Sequence, residues 1–239
     1  IRDAQESRGL GDVYKRQVYA LDVAKKYIET GQVKYALVVG TEKITSLLDW
    51  TDRNTCVLFG DGSGAMIVGA SENPGIISST IGSDGSYKDL LTVNTDLEYI
   101  EMKGSDVFKT AVNTLGKLAK HTLEKNNVGK DELDWLVPHQ ANKRIIESMA
   151  KKLDMPMDKV ICSIDRHANT SAASVPLALT EGVSDGRIVD GDLVLFEAIG
   201  GGLAWGAGPV SYTHLRAHET PEHLVFRRQH EKKNRGGGG

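Results

Sequence analysis

A histidine at the end of an apolar strand is the feature that most constrains this chain. Residues 136–144 read L-V-P-H-Q-A-N-K-R and follow a strand-like run over 133–137. Because a helix pattern begins directly behind it, His139 is expected at the carboxyl edge of a sheet, where α/β proteins bind their ligands. Asn169 lies in a similar position, between a strand-like run over 160–164 and a helix start rich in small residues. The sequence therefore predicts His139 and Asn169 as a catalytic pair.

Strand and helix patterns alternate along most of the chain, which predicts an α/β fold. Apolar residues spaced by three and four positions predict helices over 18–30, 104–126, 142–153 and 171–182. Short apolar runs predict strands over 35–40, 76–83, 133–137, 160–164, 192–198 and 203–210. An uninterrupted apolar run is typical of a strand covered on both faces, and this is expected for 35–40.

The composition argues against several classes of protein. The two cysteines, Cys56 and Cys162, lie far apart with no Cys/His spacing that suits zinc, so we expect neither a disulfide framework nor a metal. Their apolar surroundings predict buried thiols. No apolar run approaches the roughly 18 residues that span a bilayer, and no signal peptide pattern opens the chain. The expectation is a cytoplasmic protein without a membrane partner.

The two ends of the chain differ from its body. Residues 1–17 have no helical or alternating pattern, and residues 211–239 hold four of the seven histidines and end in four glycines. Both ends resemble translated adapter sequence, so we expect foreign segments and exclude them from the fold. A natural disordered tail is the alternative for 211–239. Its basic charge could suggest nucleic acid binding, but no groove-reading motif accompanies it, and no nucleic acid partner is expected.

Four motifs together resemble one family. They read D-R-N-T-C-V-L-F-G-D-G-S-G-A, D-W-L-V-P-H-Q-A-N-K-R-I-I, H-A-N-T-S-A-A-S-V-P-L-A-L and G-G-G-L-A-W-G. The chain from about residue 18 to about residue 210 is similar to β-ketoacyl-acyl-carrier-protein synthase III, the initiating condensing enzyme of bacterial type II fatty acid synthesis. The resemblance implies a thiolase-like layered αβαβα fold, usually found as a homodimer. Residues 18–95 would end its N-terminal half and residues 96–210 would form its C-terminal half, which leaves the fold incomplete.

The resemblance also implies a reaction. Acyl-CoA acylates a cysteine, malonyl-acyl-carrier-protein loses CO2, and the resulting carbanion attacks the thioester, with no bound cofactor. His139 and Asn169 would donate hydrogen bonds to the enolate oxygen, and the backbone N–H of Gly202 would complete the oxyanion site. The position of the family's cysteine falls on Tyr14, in the N-terminal foreign segment. The chain alone is therefore expected to be inactive in condensation.

Two binding regions follow from the same resemblance. The residues implied for CoA are Arg53, Gly104, Phe108, Ala141 and Asn142. The residues implied for the acidic acyl carrier protein are Lys109, Gln140, Lys143, Arg144, Lys151 and Lys152. Other interpretations stay open: a related condensing enzyme of secondary metabolism, or a non-catalytic module that binds CoA or a carrier protein. His139 could also be a buried structural histidine, and Asn169 could simply cap the following helix.

Overall fold

The computed structural model describes residues 16–72, 75–93 and 99–213 of the chain. In chain order, its α-helices are α1 (Arg16–Glu29), α2 (Gly104–Lys125), α3 (Lys143–Leu153), α4 (Ile164–His167) and α5 (Ser174–Ser184). Its strands are β1 (Tyr35–Glu42), β2 (Gly62–Gly69), β3 (Thr80–Ser83), β4 (Leu91–Val93), β5 (Ile100–Met102), β6 (Trp135–Pro138), β7 (Leu193–Gly200) and β8 (Ala204–Ser211). Helices and strands are both present throughout the described chain, as an α/β fold requires, although β1 to β5 follow one another without an intervening α-helix.

A four-stranded sheet with the order β3–β8–β7–β6 lies at the centre of this arrangement. β6 and β7 are parallel, and Leu136 pairs with Leu195 while Pro138 pairs with Glu197. β8 returns antiparallel to β7 after a tight turn, and β3 is antiparallel to β8. Because β6 and β7 run in the same direction, their carboxyl ends meet at one edge of the sheet.

The alternating side chains of this sheet face two different helix layers. Leu136, Leu195 and Ile199 pack with the apolar faces of α2 and α3. Val137 and Phe196 point to the opposite side, where they pack with α1, α5 and β1. Because both faces of this sheet are buried, its strands need apolar residues at successive positions, which explains their continuous apolar sequences. The layers therefore run from α2 and α3 through the central sheet and then α1 and α5 to β1 and β2.

The outer face of the β1–β2 pair corrects one expectation. β1 was predicted to be covered on both sides, but Tyr35, Leu37 and Val39 are 67%, 65% and 51% exposed, and Ile67 beside them is 69% exposed. Val38 on the other face is buried against α1. The prediction was wrong on this point because the described residues contain no layer over that face.

Other differences concern short elements. Between the predicted strand over 76–83 and the predicted helix over 104–126, the structure contains a 3-10 helix, Gly85–Leu90, and the strand β4, which pairs with β5. Only an isolated bridge between Leu136 and Val160 forms where a strand was expected over 160–164. Both cysteines are free and partly exposed, so the prediction of buried thiols was also wrong. Among the described helices, none is long and apolar enough to cross a membrane.

Several predicted boundaries fall outside what is described. Residues 1–15 and 214–239 hold most of the two predicted foreign segments, and Tyr14 is among them. α1 begins at Arg16, which places the start of the helix slightly earlier than predicted. The predicted boundary between the two halves lies within 94–98, which is also outside the described residues.

Candidate active site

The carboxyl edge of the central sheet brings the predicted catalytic residues into one region. His139 directly follows β6, and its backbone N–H donates to the carbonyl oxygen of Glu197 on β7 at 2.6 Å. The segment 160–163 runs beside β6, with the Ile161 N–H bonded to the carbonyl oxygen of Leu136 at 2.9 Å. This segment leads through α4 to Asn169. The topology therefore carries both residues to the same sheet edge.

His139 is almost completely buried, with 6% of its surface exposed. Its Nδ1 lies 2.6 Å from the Ser174 hydroxyl oxygen at the start of α5, whereas its Nε2 has no hydrogen-bond partner among the described residues. Burial lowers the pKa of His139 from 6.5 to about 4, because the cation would lose its hydration. The imidazole is therefore neutral at neutral pH, and its second ring nitrogen is unengaged.

Gln140 holds the backbone around His139 in place. Its amide nitrogen donates to the carbonyl oxygens of Pro138 at 2.8 Å and Ile161 at 3.1 Å, and its side-chain oxygen accepts from the Ser163 N–H at 2.8 Å. The residue is only 1% exposed. Its assignment to the carrier-protein surface is therefore wrong, because a buried and fully bonded amide cannot reach another protein.

Asn169 is held in place by hydrogen bonds of both its backbone and its side chain. Its backbone N–H donates to Leu58 at 2.9 Å, and its carbonyl oxygen accepts from Gly60 at 3.0 Å. Its side-chain oxygen accepts from the Ser171 N–H at 3.0 Å, so the amide nitrogen is the free end. No described residue accepts a hydrogen bond from that nitrogen. Asn169 can therefore present N–H donors to a bound molecule.

The residue before Asn169 adopts a backbone conformation that favours glycine. Ala168 has φ 55° and ψ −163°, a combination that L residues rarely adopt. Gly60 packs closely against this segment. A Cβ added at Gly60 would lie 3.0 Å from the His167 carbonyl oxygen and 3.2 Å from the Ala168 Cβ. The structure thus holds a strained residue directly beside the proposed donor.

Ala168→Gly is expected to stabilise the protein. Relief of the strain should contribute about 1–3 kcal/mol, reduced by about 0.5–1 kcal/mol for the greater freedom of glycine in the unfolded chain. Urea unfolding would measure the gain. The matched control is Ala173→Gly, because Ala173 has φ −83° and gains no strain relief. A lower unfolding midpoint for both variants would contradict the strain argument.

Glu197 is a buried carboxyl group that the sequence analysis did not identify. It is 0% exposed, and neither carboxyl oxygen has a hydrogen-bond partner within the described residues. Burial raises the pKa of Glu197 well above its usual value, because the charged carboxylate would lose its hydration, and this favours the protonated form. The side chain is in the sheet between Pro138 and Ala207, next to the strand end that bears His139.

The predicted oxyanion donor lies at the same edge. Gly202, with φ 114°, is part of the turn between β7 and β8. The neighbouring Leu203 is tied to Asp84 by two backbone hydrogen bonds, of 2.8 Å and 3.0 Å. These bonds anchor the turn that follows the end of β7. The role of the Gly202 N–H stays a prediction.

The residues predicted for CoA fall in two places. Gly104 and Phe108 are at the start of α2, and Ala141 and Asn142 are at the start of α3. The two helix starts are in contact, because the Arg144 guanidinium lies 5.3 Å from the centre of the Phe108 ring. Asn142 also caps α3 by accepting from the Ile145 N–H at 2.9 Å. Arg53 lies elsewhere, exposed on the turn that precedes Leu58. The Leu58 carbonyl oxygen is the one that accepts a hydrogen bond from the Asn169 backbone N–H.

A basic surface covers the exposed sides of α2 and α3. It comprises the exposed residues Lys109, Lys143, Arg144, Lys151 and Lys152. Lys152 joins the helices by donating to the Asn113 side-chain oxygen at 2.9 Å. A shallow cavity of about 230 Å³ on α2 is lined by Lys109 and Asn113 together with Lys117, which the sequence analysis did not single out. The helical spacing of Lys109, Asn113 and Lys117 would have revealed this shared face.

Layered helices and sheets with a neutral histidine and an asparagine at one sheet edge define a thiolase-like α/β protein. Two family profiles match the chain: 3-oxoacyl-[acyl-carrier-protein] synthase III over residues 16–85, and the C-terminal part of the same enzyme over residues 123–212. Together they cover more than half of the chain. The chain belongs to the 3-oxoacyl-[acyl-carrier-protein] synthase III family, as its motifs indicate.

Individual relatives agree with this assignment. Beta-ketoacyl-[acyl-carrier-protein] synthase III of Thioalkalivibrio sulfidiphilus is 53% identical over 201 residues, which is 80% of this chain and 62% of that protein. The crystal structure of the synthase III from Aquifex aeolicus superposes with a TM-score of 0.80 at 45% identity, over 82% of this chain and 64% of that one. The first curated relatives are matched over 62% to 64% of their length.

The solved structure of an enzyme from a different pathway is also similar. The priming β-ketosynthase of the R1128 polyketide biosynthetic pathway is 33% identical, with a TM-score of 0.77, over 81% of this chain and 62% of that one. The fold is therefore shared by a 3-oxoacyl-[acyl-carrier-protein] synthase III and a priming β-ketosynthase of polyketide biosynthesis.

Proposed function

We propose that the chain is part of an acyltransferase that initiates fatty acid biosynthesis by joining an acyl group from CoA to malonyl-acyl-carrier-protein. The observation that carries this proposal is that a buried neutral His139 and Asn169 lie at the same sheet edge, each with a nitrogen that no described residue engages. Neutral N–H donors fixed in a buried site favour a developing oxyanion more than mobile water does.

The proposed step begins with the malonyl thioester. Its carboxylate leaves as CO2, and the electron pair of the broken C–C bond passes into the thioester as an enolate. His139 Nε2–H and Asn169 Nδ2–H donate to the enolate oxygen. The enolate carbon then attacks an acyl thioester and expels its thiolate, which yields the 3-oxoacyl product. Without an acyl acceptor, the carbon takes a proton and an acetyl thioester forms.

The acylation step needs a thiol near this pair. The chain has two cysteines, and neither Cys56 nor Cys162 is hydrogen-bonded to His139 or Asn169. We infer that this 239-residue chain can decarboxylate a malonyl thioester but cannot by itself complete condensation.

The proposed partners follow from the surfaces described above. CoA would bind near the starts of α2 and α3, with Arg53 offering a guanidinium to its phosphates. The acidic carrier protein would dock on the basic surface of α2 and α3, since charges of opposite sign guide association. We also propose a homodimer for the whole protein, a cytoplasmic location where these thioesters are made, and no bound cofactor.

An assay with malonyl-acyl-carrier-protein tests the proposed function. The folded chain should release CO2 and form acetyl-acyl-carrier-protein, and addition of acyl-CoA should give no 3-oxoacyl product. Added salt should raise KM for the carrier-protein substrate more than for malonyl-CoA, because screening weakens the basic surface. Absence of CO2 release from folded chain would contradict the proposal.

Two alternatives give different outcomes in the same assay. A chain that binds carrier protein or CoA but releases no CO2 would be a binding module. The similarity to a priming β-ketosynthase of polyketide biosynthesis favours a second condensing role. In that case the whole protein would be distinguished by its preference among acyl groups, since the reaction of the malonyl thioester is the same.

A further inference from the structure

The Ser174 hydroxyl contacts both the His139 ring and the backbone N–H of the next residue, Gln140. Its hydroxyl oxygen lies 2.6 Å from His139 Nδ1 and 3.4 Å from the backbone nitrogen of Gln140. Ser174 is 1% exposed, so water does not compete for these contacts. As the first residue of α5, it is held by a helix that packs on β6 and β7. The hydroxyl is therefore a fixed part of the site.

The hydrogen-bonding capacities of these groups decide the direction of the His139 contact. A backbone N–H can only donate, so the Ser174 oxygen is the acceptor from Gln140. The hydroxyl has one proton to donate, and His139 Nδ1 is the one acceptor that the described residues offer it. If Nδ1 instead carried the imidazole proton, that buried hydroxyl proton would have no partner, which is unfavourable.

We propose that Ser174 is a positioning residue that keeps His139 in the tautomer with its proton on Nε2. This inference rests on the proposed function, because the Nε2 proton is the one that would reach the enolate oxygen. Burial keeps the ring neutral, so one ring nitrogen has a proton and the other does not. Ser174 determines which of the two ring nitrogens carries the proton. The hydrogen bonds of Gln140 hold the backbone that fixes the distance between His139 Nδ1 and the Ser174 hydroxyl.

Nitrogen NMR of the 239-residue chain tests the assignment directly. The two ring nitrogens of a neutral histidine have distinct 15N shifts according to which is protonated, and the His139→Gln variant identifies the His139 signals. We expect a protonated Nε2 and an unprotonated Nδ1 in the wild type. In Ser174→Ala the two forms should become mixed. A wild-type spectrum with the proton on Nδ1 would overturn the proposal.

A matched control and a rate measurement complete the test. Ser163→Ala removes a hydroxyl that is equally buried but lacks a hydrogen-bond partner in the described part of the chain, so it should leave the His139 signals unchanged. Ser174→Ala should lower kcat for decarboxylation about 10- to 100-fold with little change in KM, the range seen when the outer partner of a metal-binding histidine is removed. Unchanged signals and an unchanged rate in Ser174→Ala would refute the role.

The two proposals can be separated by these measurements. If His139 has its proton on Nε2 but the folded wild-type chain releases no CO2, the proposed reaction is wrong and the tautomer assignment stands. If CO2 is released while the proton lies on Nδ1, the reaction stands and the role of Ser174 is wrong.

Discussion

Asn169→Asp is expected to slow malonyl-thioester decarboxylation by about 100- to 1,000-fold, the loss typical of one oxyanion donor. The substitution keeps a side-chain oxygen to accept the Ser171 N–H, so the loop retains its internal hydrogen bond. It replaces the donating amide with a carboxylate oxygen, which would face the enolate with negative charge. CO2 release from malonyl-acyl-carrier-protein measures the effect.

The equivalent change at His139 should give a loss of the same size. His139→Gln removes the imidazole, and we expect the activation free energy to rise by about 3–4 kcal/mol, as when single donors are removed from other oxyanion sites. Because both residues would donate to one oxygen, the double variant should lose less than the sum of the two single losses. Additive losses would indicate that the residues act on different atoms.

Thr170→Val is the matched control for these rate measurements. Thr170 is next to Asn169 and 1% exposed, and its hydroxyl has no hydrogen-bond partner within the described ranges. Valine has nearly the same shape, so the decarboxylation rate should stay close to that of the wild type. If Thr170→Val and Asn169→Asp slowed the reaction equally, the effect would come from loop packing and the donor role would be refuted.

Acid should destabilise the wild-type protein through His139. Its pKa is about 4 in the folded state against an ordinary value of 6.5. Between these two pH values, the unfolded chain binds a proton at His139 and the folded chain does not. The contribution of His139 to stability is complete above about pH 6.5 and is lost as the pH falls toward about 4. The loss amounts to about 3 kcal/mol, at 1.36 kcal/mol for each pKa unit.

The difference between wild type and His139→Gln isolates this contribution. The free energy of unfolding would be measured in urea from pH 4 to pH 7.5, and the wild type should lose stability more steeply than the variant on acidification. Glu197 acts with the opposite sign, since its raised pKa makes the folded state bind a proton that the unfolded state releases. Both proteins contain Glu197, so its effect cancels in the difference. Parallel curves would show that His139 is not buried as described.

The sequence alone determined the main elements and the family. The helices α2 and α3 were predicted almost to the residue, because their apolar spacing and the cap at Asn142 are local properties of the chain. The α/β fold followed from the alternation of patterns and is confirmed by the solved structures that match it. His139 and Asn169 were identified because each lies between a strand-like run and a helix start, and their catalytic roles remain predictions.

The tertiary structure decided what each of these side chains contacts. Gln140 belongs to the same motif as His139, yet its amide closes a buried network, which depends on Ile161 and Ser163 lying beside β6. Ser174 could not be assigned to His139 from the sequence, because the contact joins two elements 35 residues apart. The uncovered face of β1 likewise depends on which layers are present. Burial and hydrogen-bond partners are properties of the packed chain, and local sequence patterns do not specify them.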